Sequence, residues 1–267
     1  MTATSHSTGK RAVALVTGAS SGIGQSFARQ LARDGHDLVL VARDTSRLDA
    51  LAKELDGQYG ARSEVLAGDL TEPEFCRVVE ARLRAEPAID VLVNNAGFGT
   101  FGRFHELPVD EEEREVRLNV VAVMRLAHAA AQAMILRGSG GILNVSSVAS
   151  SQPVPGNATY AATKAFVTSF SEALHEELKP RGVRVTVLMP GFTRTEFQER
   201  ANFTGESRVP GFAWQGPDEV AEAGLKALGK GRATVVPGAL NKVTAAFSNA
   251  TPHAVTRRVA GSVVRNT

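Results

Sequence analysis

The feature that most constrains this chain is an alternation: short β-prone apolar runs, each followed by a stretch with helical periodicity. Residues 12–17 (Ala-Val-Ala-Leu-Val-Thr) form the first run and lead into Gly18-Ala19-Ser20-Ser21-Gly22-Ile23-Gly24. Phe27, Ala28, Leu31 and Ala32 then recur at helical spacing until near Gly35. Further strands are predicted over 37–42, 63–67, 90–94, 141–146, 183–188 and 233–236. Between them, helices are predicted through Leu48, Leu51 and Leu55, over 74–84, over 112–137, and from Tyr160 to Leu178. Strands separated by helices imply parallel pairing, right-handed crossovers and helices on both faces. Uninterrupted apolar runs such as Val91-Leu92-Val93 suit strands buried on both sides. The expected fold class is α/β: a doubly wound, mostly seven-stranded parallel sheet of Rossmann type. A length of 267 residues, with no repeat and no linker after residue 10, fits one domain over 11–267 behind a disordered polar start (1–10).

In such a sheet, ligands bind beyond the carboxyl ends of the strands. Gly18–Gly24, Arg43, Asp69, Asn94–Gly97, Ser147 and Pro190–Gly191 all fall at those ends. Strand, glycine turn and helix form the context a nucleotide-binding loop requires, with the pyrophosphate charge met by N–H groups at the helix start. The spacing is GxxxGxG rather than GxGxxG. The same residues also satisfy G-x-S-x-G, which would make Ser20 the nucleophile of a serine hydrolase. That elbow needs upstream strands to build an oxyanion hole, and only about a dozen residues precede this one.

Tyr160 and Lys164 lie four residues apart in an Ala-rich helical run, so they share a helix face. A free phenol has a pKa of about 10. A cation one turn away is expected to lower it toward the working range for acid–base catalysis. Ser147, just past the fifth strand, could bond the same substrate oxygen. A Tyr–Lys pair at this spacing also arises by chance on many helices, so its weight comes from the rim it shares. At the end of the second strand, where an NAD site would carry an acid, Ala42 is followed by Arg43. A guanidinium grips a 2′-phosphate that an acid would repel, which favours NADP(H) over NAD(H), with Asp44 next door arguing the other way.

Taken together, these motifs resemble the short-chain dehydrogenase/reductase superfamily in its single-domain branch, over about residues 12–237. Thr17-Gly18-Ala19-Ser20-Ser21-Gly22-Ile23-Gly24 resembles its cofactor loop, Asn94-Asn95-Ala96-Gly97 its motif after the fourth strand, and Tyr160/Lys164 its Tyr-x-x-x-Lys pair. The resemblance implies a catalytic set of Asn119, Ser147, Tyr160 and Lys164, with Ser147 rather than Ser146 as the serine. It implies cofactor contacts from Gly18, Ser20, Ser21, Gly22, Ile23, Gly24, Asp69, Leu70, Asn95, Ala96, Gly97, Pro190, Gly191, Thr193 and Thr195. Lys164 would also hold the nicotinamide ribose, and Asn119 would place a water that links Lys164 to solvent. The implied reaction is hydride transfer between NADP(H) and a carbonyl or secondary alcohol, in a homodimer or homotetramer.

Seven of the twelve phenylalanines lie in two loops at this rim: Phe98, Phe101 and Phe104, then Phe192, Phe197, Phe203 and Phe212, with Trp214 beside the second group. They are expected to line a lipophilic pocket, with Phe98, Phe192 and Phe197 closest and residues 192–216 as its lid. Packing among themselves is the plainer alternative. The tail (238–267) mixes Lys242, Arg257, Arg258 and Arg265 with valines and is expected to be a basic terminal helix. A net charge of +2 argues against a nucleic-acid partner. Scattered histidines, one cysteine and no HExxH or CxxC motif predict no metal site, and the histidines read as surface or satisfied core residues. No apolar run approaches the roughly 20 residues that span a bilayer, and the start lacks a signal-peptide core, so the expected location is cytoplasmic. A nucleotide sensor on the same fold without catalysis is the second alternative, although a sensor has no need of Ser147, Tyr160 and Lys164.

Overall fold

In the computed structural model of the chain, residues 11–201, 210–238 and 241 are described. The expected disordered start, Phe203 and the tail beyond Asn241 therefore lie outside the described residues. Seven strands, β1 (Val13–Thr17), β2 (Asp37–Ala42), β3 (Ser63–Ala67), β4 (Val91–Asn94), β5 (Gly140–Val145), β6 (Val183–Leu188) and β7 (Thr234–Val235), make one sheet in the order β3-β2-β1-β4-β5-β6-β7. Every pairing is parallel. The helices are α1 (Gly22–Arg33), α2 (Thr45–Tyr59), α3 (Pro73–Arg84), α4 (Val109–Val116), α5 (Val123–Arg137), α6 (Ala158–Leu178), α7 (Phe197–Arg200) and α8 (Pro217–Gly229). Strand order reverses between β1 and β4, so the loops leaving those two strands diverge and open a crevice at their carboxyl ends.

The strand period of two sorts the core. Val13 and Leu15 of β1 join Val79, Leu126 and Leu178 from α3, α5 and α6 on one face. Ala14 and Val16 join Phe27, Leu51 and Val220 from α1, α2 and α8 on the other. Each such buried Leu, Val or Phe is worth about 1.5–3 kcal/mol, and a one-residue slip of β1 would exchange the two sets. That double burial holds the strand ends, and hence the rim, in register.

Three features differ from the sequence expectation. The helix expected over 112–137 begins at Val109 and is divided: a π-helical turn, Arg117–Ala122, separates α4 from α5. The last strand shrinks to two residues. Helix α8 has no counterpart in that expectation, although Pro217 at its start and the spacing of Val220, Ala221 and Leu228 signal it. A correction also applies to the membrane reading. Val109–Arg137 is one helical path long and apolar enough to cross a bilayer by length and composition, with half of its most apolar window buried inside the protein. It lies against β4, β5 and α3, as a core helix does.

Candidate active site

The site begins where β1 ends. Thr17, 1% exposed, accepts hydrogen bonds at Oγ1 from the backbone N–H of Asn95 (2.9 Å) and Ala96 (3.0 Å). Asn95 Nδ2 returns one to Thr17 O at 3.0 Å. These bonds splice the β4 exit onto the glycine loop, so Asn95 supports the loop from behind. Gly18 has a φ of +68° and a β-carbon there would lie 2.8 Å from Asn95 Nδ2, so no other residue fits without moving the splice. Gly22 is also left-handed, at +55°, and a β-carbon there would lie 2.9 Å from Thr195 Cγ2. The α1 N-cap, Ser21, makes no side-chain capping bond. The first-turn N–H groups thus remain available to an anion, and Ser20, Ile23 and Gly24 complete the cradle. That arrangement fits a dinucleotide pyrophosphate. Ser20 is bonded to no histidine among the described residues: the rings of His36 and His175 bond the carbonyls of Leu31 and Val185. His175 is the satisfied core histidine expected of such a pattern.

Across the rim, Ser147 follows β5 in extended conformation. Its Oγ accepts from Ala149 N at 3.1 Å, which leaves its own hydrogen free to turn to the Tyr160 hydroxyl, whose acidity it raises. Tyr160 stands in the first turn of α6. Lys164, one turn on and 5% exposed, donates from Nζ to Val145 O at 3.0 Å, with that nitrogen 5.6 Å from the Tyr160 ring centre. Asn119 sits in the π turn, fully buried; its Nδ2 donates to Phe98 O (2.8 Å) and Thr163 Oγ1 (3.1 Å), and its Oδ1 accepts from Phe98 N (3.2 Å). Its side chain is therefore committed to holding the β4 exit loop against α6. Gly97 is wedged between Asn119 and Lys164, for a β-carbon there would lie 2.9 Å from Asn119 Oδ1 and 3.4 Å from Lys164 Nζ.

The expected acidification of Tyr160 is corrected. Burial pushes its phenol up to about 12, with the Ser147 bond pulling down and the Glu115 charge pushing further up. Burial likewise drives the Lys164 ammonium down to about 8, opposed by Glu115. A low-dielectric wall disfavours both charged forms, and within the protein it outweighs one neighbouring cation. The resting pair is thus a protonated phenol beside an easily discharged lysine.

Elsewhere on the rim the expected residues divide. Arg43 is exposed and forms no ion pair among the described residues. Asp44 is occupied as the α2 N-cap: Oδ1 accepts from Arg47 N (3.0 Å) and Ser46 Oγ (2.7 Å), and the Ser46 bond leads in holding this exposed carboxyl below its usual range. Arg47 pairs through Nε with Asp44 Oδ2 at 3.5 Å and reaches with Nη1 to both oxygens of Glu196 at 2.9 Å, across the cleft in front of Ser20–Gly22. Asp69 accepts from Thr71 N and Oγ1, and Leu70 is core at 7% exposure, so Leu70 can offer a ligand only its backbone. Past Pro190 and Gly191, Thr193 Oγ1 donates to Gly191 O at 3.1 Å, while Thr195 packs against Gly22.

The aromatic residues also divide. Phe197 packs on Tyr160 with ring centres 5.5 Å apart, and Phe192 on Trp214 at 5.5 Å. Phe98 is half-buried beside Asn119. Phe104 and Phe212, at 60% and 80% exposure, point into solvent and line nothing among the described residues. Sequence reasoning missed Thr17 as the splice and missed two buried acids, Glu112 and Glu115, on α4. The position of Glu115 four residues before Asn119 was the available signal.

A family described as short chain dehydrogenase matches residues 12–204. The very-long-chain 3-oxoacyl-CoA reductase of Bos taurus is 31% identical over 220 residues, covering 81% of this chain and 68% of that protein. Among solved structures, a short-chain dehydrogenase from Sphingobium yanoikuyae in complex with NADPH is 41% identical with a TM-score of 0.81, covering 85% of this chain and 88% of that one. A bulky-bulky ketone specific alcohol dehydrogenase from Comamonas testosteroni is 36% identical with a TM-score of 0.77, covering 88% and 92%.

Proposed function

The chain belongs to the short-chain dehydrogenase/reductase family and is an NAD(P)-dependent oxidoreductase of CH–OH groups, and from that premise we propose that it uses NADP(H) to interconvert a bulky, lipophilic ketone and its secondary alcohol. The observation that carries the reading is the Tyr160 hydroxyl, set beside Ser147 and backed by Lys164, on the same rim as the glycine cradle. When bound, the nicotinamide supplies or accepts the hydride. Tyr160 gives its proton to the carbonyl oxygen as negative charge gathers there. Ser147 bonds that oxygen and stabilises the charge. Lys164 restores the Tyr160 proton, and Asn119 keeps the loop carrying Gly97 closed against it.

The cofactor preference rests on Arg43, exposed and without an ion pair among the described residues where an acid would select NAD, and on Asp44 being turned into its own helix. A charge-assisted bond to a phosphate is worth about 1.5–3 kcal/mol, or about ten- to a hundredfold. Arg43→Glu should therefore raise the KM for NADPH by at least about tenfold while changing that for NADH little; equal effects on both would overturn the preference. The lipophilic substrate rests on Phe197 against Tyr160 and on the Phe192–Trp214 pair, as the ketone-specific and acyl-CoA relatives also suggest. NADPH oxidation followed over ketones graded in size tests the whole reading. Bulky apolar ketones should give the highest kcat/KM, and no turnover of any carbonyl, with NADPH still bound, would leave the sensor. The same assay run in both directions carries a pH prediction. Because Tyr160 keeps its proton to about 12, alcohol oxidation should gain on ketone reduction as pH rises.

A further inference from the structure

Behind the catalytic wall lies a second set of ionisable groups. The loop leaving β4 has two sides. Gly97 and Gly99 face α6, where a β-carbon on Gly99 would lie 2.8 Å from the Tyr160 ring. Thr100, the next residue, turns to α4: its N–H donates to Glu115 Oε2 at 2.9 Å, and its Oγ1 lies 3.0 Å from that oxygen and 2.5 Å from Glu112 Oε1. Thr159, immediately before Tyr160, donates from Oγ1 to Glu112 Oε2. Glu112 is 5% exposed and Glu115 fully buried, and Glu115 Oε1 has no hydrogen-bond partner among the described residues.

A count of hydrogens constrains this cluster. Thr100 Oγ1 has a single hydrogen for two carboxyl oxygens. With both acids ionised, one of its two contacts would set lone pair against lone pair, so the cluster needs a proton of its own. The groups facing Glu115 are Glu112 on its own helix and Tyr160 and Lys164 on α6; the part of the β4 exit loop that bonds it, at Thr100, carries no charge. Burial pushes the Glu115 carboxyl up to about 7, against the Thr100 bonds, with Glu112 adding to the rise and Lys164 opposing it.

We propose that Glu115 is a positioning residue for the proton transfer, holding or releasing the proton of this buried acid pair and thereby setting the charge state of Tyr160 and Lys164. It rests on the reading of those two groups given above. Once ionised, Glu115 holds the proton on Tyr160 and the charge on Lys164, which favours the reductive direction; when neutral, it releases both.

The test exploits the chain's two tyrosines: in a Tyr59→Phe background Tyr160 is the only phenol left. Its ultraviolet phenolate titration is then read directly, without any substrate. Glu115→Gln should lower the Tyr160 titration by about 1 pH unit, a tenfold change in proton affinity, and move the basic limb of ketone reduction the same way. Thr100→Val removes a hydroxyl bond that favours the ionised Glu115 and should raise the pH at which ketone reduction responds to that acid, whereas Thr100→Ser should restore the parent value. A Tyr160 titration of Glu115→Gln that coincides with the parent would overturn the proposal, as would a pH profile of ketone reduction that Thr100→Val leaves unmoved. If no variant reduces any ketone, the reductase reading fails, yet the phenolate titration still decides the role of Glu115.

Discussion

Tyr160→Phe is expected to slow ketone reduction by about 10²–10⁴-fold while leaving NADPH affinity nearly unchanged. The substitution is conservative in shape: the ring that packs on Phe197 and lies near Lys164 is retained, and only the hydroxyl beside Ser147 is lost. The fold has no reason to change, so the loss falls on the chemical step. Ser147 orients the oxygen, and Lys164 Nζ, held on Val145 O and 5.6 Å from the Tyr160 ring centre, is placed to return a proton to the phenol rather than to stand in for it. Steady-state kinetics with a bulky ketone, beside NADPH fluorescence, measures both quantities. A variant keeping more than about a tenth of the parental rate would remove Tyr160 as proton donor.

Gly24→Ala should act on the other half of the site. A β-carbon there would run into the carbonyl oxygen of Gly18 and lie 2.5 Å from Asn95 Nδ2, both parts of the splice between β1 and β4. The α1 start must then move away from the loop, at an overpacking cost of about 1–3 kcal/mol. Since about 1.4 kcal/mol is tenfold in affinity, NADPH should bind about ten- to a hundredfold more weakly. Circular dichroism and a thermal melt should report a retained fold, since the change lies at the helix start rather than in either core cluster. Unaltered NADPH affinity would mean that this turn is not the cofactor cradle.

Much of the architecture is legible in the chain because it is written in periods. β1 alternates its residues between two cores, and the same spacing announces the parallel sheet. The glycine turn and the Tyr160–Lys164 spacing are local patterns, so they too can be read directly. What escaped depends on packing. Whether Lys164 or burial governs the Tyr160 phenol is decided by how much low-dielectric material surrounds them, which no spacing of two residues reveals. The π turn around Asn119 is set by the fit of α4 and α5 against α6, not by any helix-breaking residue, since Arg117–Ala122 contains neither Gly nor Pro. Asp44 argues against NADP from its position alone, but its side chain is spent on capping α2. Phe104 and Phe212 lie in the same loops as Phe98 and Phe197, yet face solvent, because a loop has no period to dictate facing.

Glu196 and Phe197 are consecutive residues at the start of α7, and they grip opposite ends of the cleft. Glu196 clasps Arg47 beside the glycine turn, while Phe197 leans on the proton donor. A hinge movement that draws this short helix aside therefore loosens both grips together. Access at the catalytic end and the contact beside the glycine turn would then change together, through a single peptide bond.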